Sequence, residues 1–296
     1  MSKPFLTILT ATWNRAGLLL RLYQSISENC PNNGSIEWCI IDDGSSDNTR
    51  DLVTHFQSES NFPIRYHYVA HGGKHRAINT GFRRARGEWI IIIDSDDWFL
   101  DGGIDACLAE IIKADNHGAK AAFLPMHVAG HDRQWRFNHP GICRSFLDRV
   151  NHERWFDCSF VFSRDVGQFR FPEIAGETFM AESAFLAQLG PDIGFFLSDQ
   201  VCVGVEYQAD GLSLTSIPTR MASPVGCTLT CQLMLSKSLR PRIYFRTLAN
   251  FGRFWWHSVF RKSPVRAPET ISQYAVLPAG LMFALADFWR SRKFRR

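Results

Sequence analysis

At 296 residues, 45% hydrophobic and 21% charged, the chain is long enough for one large core, or one domain with an appended segment, and too apolar for wholesale disorder. Its net charge of +4 is small but unevenly placed, because the segment from Arg240 onward is basic. The eight cysteines form no CxxC pair, and several sit inside apolar runs; they exclude a disulfide or zinc framework and predict reduced core thiols.

The opening MSKPFLTILTATWNR has no basic region followed by a long apolar stretch, so no secretory signal is expected. Phe5–Thr10 predicts a short strand running into the polar stretch Thr10–Asn14. Ala16–Glu28 has helical spacing through Leu18, Leu19, Leu22 and Ile26, and the CPNNG from Cys30 breaks it. Trp38–Ile41 predicts a second strand that runs into Asp42–Asp47. Thr49–Gln57 predicts a helix, and Ile64–Val69 a third strand. His71-Gly72-Gly73-Lys74 opens a helix through Ala85, and Trp89–Ile93 is the fourth strand. Alternation with short loops predicts an α/β fold, a Rossmann-like, mostly parallel sheet flanked by helices. Farther on, Asp105–Ala114 and the run around Phe185 predict helices. Ala121–Val128, Trp155–Phe162 and Val201–Tyr207 predict strands, and His131–Asn151 is irregular.

Ligands of such sheets bind beyond the carboxyl ends of the strands. Three polar clusters fall there: Thr10–Asn14, Asp42–Asp47 and Asp94–Asp97. The last is the sharpest, because four isoleucines run straight into Asp94, Ser95, Asp96 and Asp97. Three carboxylates at a buried strand end repel one another and resist desolvation. A divalent cation with a polyphosphate relieves both problems, since Mg²⁺ takes one or two carboxylates plus phosphate oxygens. Lys74 follows a glycine pair at a helix N-terminus, a place suited to anions.

Taken in order, TATWNR, IIDDGSSDNT, GGKHRAINTGFRRARGEW and IIIIDSDDW resemble the nucleotide-sugar-binding half of family 2 glycosyltransferases of the GT-A fold. The resemblance is strong over Phe5–Asp101 and weaker over Trp155–Tyr207. It implies that Asp43 meets the nucleotide base, that Thr10 and Thr12 line the base pocket, and that Asn14 fixes the loop beside it. Lys74 would contact base or diphosphate, and Asp94 the ribose. Asp96 or Asp97 would hold Mn²⁺ or Mg²⁺, which neutralises charge on the departing nucleoside diphosphate. Glu182, in AESAFLAQL, takes the place of the base that deprotonates the acceptor hydroxyl. The family's usual ED pair is missing, however, and Glu177 lies five residues earlier.

The implied activity is metal-dependent, inverting transfer of a hexosyl or N-acetylhexosaminyl group. The donor would be a nucleoside-diphosphate sugar, a UDP-sugar first, and the acceptor a glycan or lipid-linked hydroxyl in cell-surface polysaccharide or glycolipid assembly. Two rivals stay open. One is a catalytically silent sugar-nucleotide-binding scaffold; the other is a nucleotidyltransferase, which the glycine-poor TATWNRAG loop disfavours.

The expected organisation is a catalytic domain over 1–218, with a nucleotide-binding half 1–101 and an acceptor half 102–218, followed by a helical segment over 219–296. Arg240–Arg296 interleaves basic and aromatic groups, as helices at a membrane interface do. Ala275–Ala286 is too short to span and is interrupted by Pro278, and no window reaches about eighteen apolar residues. This predicts attachment to an anionic membrane surface, with packing on the catalytic domain as the alternative. No nucleic-acid module is present, so no nucleic-acid partner is expected. The expected location is the cytoplasm, peripheral on the inner face of the plasma membrane.

Overall fold

The computed structural model describes residues 3–31, 34–131, 135–143, 145–153, 156–190, 192–208 and 216–293. They divide into two compact units, one of 1–170 with 189–206, the other of 171–188 with 207–296.

The first unit opens with β1 (Leu6–Thr12), α1 (Ala16–Asn29), β2 (Ile36–Asp42), α2 (Thr49–Glu59), β3 (Ile64–Tyr68), α3 (Lys74–Arg84) and β4 (Trp89–Ile92). The strands lie in the order β3-β2-β1-β4, all parallel. Every residue of β2 is buried, which requires cover on both faces of the sheet and explains the apolar run Trp38–Ile41. The stripe Leu19, Leu22 and Ile26 of α1 is buried as its spacing predicts, in one core with Trp38, Val53 and Phe56. Tyr23 stacks on Phe56 at 4.0 Å.

Register decides where the site lies. Thr12 stands opposite Asp42, and Leu9 opposite Ile92. Past the strand ends, Asp43 N–H donates to Thr12 O at 2.9 Å, Val69 N–H to Asp42 O at 2.9 Å and Ile93 N–H to Leu9 O at 3.0 Å. The carboxyl ends of β1, β2 and β3 therefore finish level, β4 stops opposite Leu9, and the polar clusters that follow the strands share one edge. The opposite edge is pinned by buried Glu37, which accepts from Thr7 Oγ1 at 2.7 Å and Arg86 N–H at 2.6 Å.

The unit continues through β5 (Trp98–Phe99), α4 (Gly103–Asn116), β6 (Ala121–Val128), β7 (Gly141–Cys143), α5 (Phe146–His152), β8 (Cys158–Ser163), β9 (Phe195–Leu197) and β10 (Val203–Val205). Here the sheet becomes mixed. β8 lies antiparallel between β4 and β6, β6 runs parallel to β9 and β10, and β5 closes the edge antiparallel to β10. The strand expected from Trp155 begins at Cys158; Trp155 and part of the irregular stretch (132–134 and 144) lie outside the described residues. β5, β7 and β9 have two or three residues each, too few to show a period.

Seven described cysteines are unpaired, as expected. Cys39, Cys107, Cys202, Cys227 and Cys231 are buried, and burial pushes their thiols up, those of Cys39, Cys202 and Cys231 to about 12. Native protein titrated with a chromogenic disulfide should therefore release no more than three thiols quickly, from eight minus these five, and all eight only on unfolding.

The second unit contains α6 (Glu182–Leu186), α7 (Ser216–Ala222), α8 (Pro224–Leu235), α9 (Pro241–Phe260) and α10 (Ile271–Lys293). The unit boundary differs from one at residue 218, because 171–188 groups with these helices. Glu177 supplies the reason: its carboxylate accepts from Val225 N–H at 2.8 Å and Gly226 N–H at 2.7 Å, satisfying the open amides at the start of α8. A 20-residue stretch, Ile271–Arg290, is long and apolar enough by length and composition to cross a membrane. This corrects the expectation that no such window exists; the run is longer than Ala275–Ala286 because Pro278 sits inside a continuous helix.

Candidate functional site

The acidic turn after β4 alternates. Ser95 and Asp97 are buried, at 3% and 5% exposure, whereas Asp94 and Asp96 are half-buried. The outward pair is bracketed by cations. Lys74 Nζ lies 2.7 Å from Asp94 Oδ2, and Arg15 Nη1 lies 2.9 Å from Asp96 Oδ2. Arg21 adds a second clamp: its guanidinium donates to Asp96 O at 2.5 Å and to Glu206 Oε2 at 2.7 Å, and lies 4.1 Å from the ring centre of Trp98.

Burial, then the Asp94 charge, raises Asp96 above the usual carboxylate range, with Arg15 opposing. Asp97 is pushed up to about 9, first by burial and then by the charges of Asp94 and Asp96. Three acids thus occupy a space with too little positive charge for all of them to ionise. Among the described residues, no three His, Cys, Asp or Glu side chains converge as a ready-made metal cage. The donor set nevertheless fits a hard cation held by one or two carboxylates with phosphate oxygens completing its shell.

Asp43 is only 3% exposed, and its carboxylate is already engaged. Oδ1 accepts from Gly72 N–H and Oδ2 from Gly73 N–H, both at 2.8 Å, with His71 Nδ1 2.9 Å from Oδ2. The anion at the α3 N-terminus is therefore Asp43 itself. The glycine pair expected to receive a ligand's charge instead anchors β2 to α3, and Lys74 presents its charge through the side chain. Gly44, at φ +80°, could not carry a side chain, because a Cβ there would lie 2.8 Å from His71 N.

Asn14 ties the first loop to the turn after β2. It sits at φ +51°, its Oδ1 accepts from Ser46 N–H at 2.7 Å and Asp47 N–H at 3.3 Å, and its own N–H donates to Ser45 Oγ at 2.9 Å. Asn14→Ala should cost about 2 kcal/mol, read as a lower melting temperature. Asn14→Gly, which suits the positive φ but lacks the carboxamide, separates strain from hydrogen bonding. Thr10 lies fully buried and accepts from Trp38 Nε1 at 3.0 Å, so it braces the sheet and does not line an open surface. Thr12 is 3% exposed, and its Oγ1 has no hydrogen-bond partner among the described residues.

Trp13, Arg15 and Arg21 were not among the expected site residues. Trp13 is 49% exposed and stacks on His71 at 4.3 Å, which places an accessible indole beside Asp43. A large aromatic within a polar loop was the available signal. The arginines gave none, since their partner lies 81 and 75 residues away.

In the second unit, Glu182 occupies the first position of α6 and is exposed. Glu177 is committed to α8, and burial raises it above the usual range against the amides of Gly226 and Val225. Of the two acids weighed as a base, Glu182 is the one without that helix-capping duty.

Residues 7–166 match the sequence family Glycosyl transferase family 2. An uncharacterized glycosyltransferase of Mycoplasma genitalium is 37% identical over 97 residues, 32% of this chain and 33% of that protein. The alignment thus spans about a third of that relative. Among solved structures, S. aureus TarS 1-349 in complex with UDP-GlcNAc aligns with a TM-score of 0.58 at 15% identity, covering 94% of this chain and 81% of that one. Mannosyltransferase PcManGT from Pyrobaculum calidifontis, in complex with GDP-Man and Mn²⁺, aligns with a TM-score of 0.57 at 16% identity, covering 98% and 83%. At these identities the likeness establishes the fold: this is the GT-A arrangement.

Proposed function

The chain belongs to glycosyl transferase family 2, and on that premise we propose that it transfers a sugar from a nucleoside-diphosphate sugar to an acceptor hydroxyl with inversion. The observation that carries this reading is the acidic turn Asp94–Asp97, just past β4 at the carboxyl edge of the sheet and flanked by Lys74 and Arg15.

Each residue has a role that its surroundings support. Asp43 holds the 71–73 loop beneath the base position while keeping acceptor lone pairs on both oxygens. Lys74 is placed to exchange Asp94 for phosphate, which frees Asp94 for a ribose hydroxyl. Asp96, more open than Asp97, is the carboxylate we assign to a divalent cation. When bound, Mn²⁺ or Mg²⁺ would neutralise charge growing on the departing diphosphate. Glu182 is assigned as the base that takes the acceptor proton as the new glycosidic bond forms. Single displacement needs no nucleophile on the protein, and none is invoked. The unpaired cysteines suit a reducing compartment, where we place the protein. We propose a glycan or lipid-linked acceptor of the cell envelope.

The test is a donor screen with UDP-, GDP- and dTDP-sugars, each with Mn²⁺ or Mg²⁺ and with EDTA; a UDP-sugar is the first expectation. Metal-dependent release of one nucleoside diphosphate is the expected result. No release from any donor, with no heat of binding in calorimetry, would overturn the reading and leave a scaffold as the better account.

A further inference from the structure

Helix α10 is built inside out for a helix in water. Its buried side carries Gln273, Gly280, Ala284 and Asp287. Its exposed side carries Ile271, Tyr274, Pro278, Met282, Leu285 and Trp289, spaced by three and four so that they form one stripe about 27 Å long. The exposure is large: 88% at Ile271, 69% at Met282 and 63% at Trp289. Leaving such a stripe in water forgoes the main driving force of folding.

Helix α10 cannot roll over to hide the stripe. Arg253 Nε donates to Asp287 Oδ2 at 2.6 Å, its Nη2 pairs with Oδ1, and His257 Nε2 lies 2.9 Å from Oδ2. Breaking that buried set would strand a charge. Gly252 and Gly280 meet backbone to backbone, so that a Cβ on Gly280 would lie 2.3 Å from Gly252 C. Trp256 Nε1 donates to Leu277 O at 2.7 Å. The polar side of α10 is locked onto α9, and the apolar side faces outward as a consequence.

Charge identifies what covers it. From Arg240 to Arg296 the sequence holds twelve Arg and Lys against Glu269 and Asp287, and it ends in RSRKFRR. Asp287 and Arg253 pair with each other, which leaves eleven cations against Glu269. Two copies face to face would oppose like charges, whereas an anionic lipid surface would neutralise them. We propose that the exposed face of α10 docks on an anionic phospholipid bilayer, with the helix lying in the plane of the interface. In-plane docking keeps the Arg253–Asp287 pair and the glycine contact intact; crossing the bilayer would carry them into hydrocarbon. The proposal does not depend on which sugar, if any, the chain transfers.

The test is flotation of the full chain with vesicles of phosphatidylcholine alone, or of phosphatidylcholine and phosphatidylglycerol in equal parts. Capture on the anionic vesicles only, weakened by high salt, is expected. Met282→Glu with Trp289→Glu should lower the bound fraction at least about tenfold with little change in melting temperature, because both side chains are mostly exposed. Absence of capture, or equal capture of the double variant, would overturn the proposal. So would a dimer, seen by light scattering, that the double variant makes monomeric without any vesicle binding; a second copy would then be the occupant.

Discussion

Glu182→Gln is expected to lower turnover by roughly a thousandfold while nucleotide affinity stays within about twofold, as removal of a general base does. Glutamine keeps the size and one acceptor oxygen but cannot hold the proton as the acceptor oxygen attacks. The comparison that gives this result meaning is Glu177→Gln. The Glu177 carboxylate accepts from Val225 N–H and Gly226 N–H through its two different oxygens, and an amide can offer only one. Its NH₂ group would then face a backbone N–H, at a cost of about 2 kcal/mol, or roughly 4–8 °C in melting temperature for a chain of this size. Glu177→Gln should thus be a stability variant with near-normal turnover per folded molecule, and Glu182→Gln the reverse. Steady-state kinetics, calorimetry and thermal melts on the same preparations separate them. If Glu182→Gln turned over normally, the assignment of the base would fall. The family membership would stand, since it rests on residues 7–166.

The first half of the chain was legible because its signals are local. Continuous apolar runs mark β1, β2 and β4, and each ends in polar residues that the register then brings level. The partners of those residues were not legible. Asp43 offered a carboxylate to any donor, and nothing local shows that Gly72 and Gly73 claim it from 29 and 30 residues away. Arg15 and Arg21 read as ordinary charges around an amphipathic helix until the fold carries them to Asp96. Thr10 was expected in the base pocket from the family resemblance and because it opens a polar run, yet it stands within the buried strand and bonds Trp38. The difference in burial between Asp96 and Asp97 was not legible either, because it is set by a turn, closed by Asp97 N–H onto Asp94 O at 3.1 Å, that buries Ser95 and Asp97 and leaves Asp94 and Asp96 half-buried. The β8 insertion and the grouping of 171–188 with α8 depend on pairings between distant segments, which no window along the chain contains.

Asp97→Asn is expected to stabilise the ligand-free protein, by an amount that grows with pH, while impairing function. The folded-state value of Asp97, about 9, lies above that of an unfolded aspartate, near 3.9. For a group raised on folding, the full contribution is present below the unfolded value and is lost as pH rises toward the folded one. Between about pH 4 and pH 9 the unfolded chain gives up this proton and the folded chain keeps it, so stability declines across that window and levels off above it. Asparagine has no proton to lose, so the variant should escape the decline. The gain at neutral pH is on the order of a few kcal/mol. Melting curves of the two proteins from pH 5 to pH 9 should therefore diverge steadily as pH rises. Parallel curves would mean that the three acids are compensated in the free protein and that no charge deficit exists to attract a cation. Divergence that closes for wild type when Mn²⁺ and a nucleoside diphosphate are added would locate the missing positive charge at this turn. The carboxylates would then cost stability in the empty site because they are needed in the filled one, a trade common where function requires charge in a buried place.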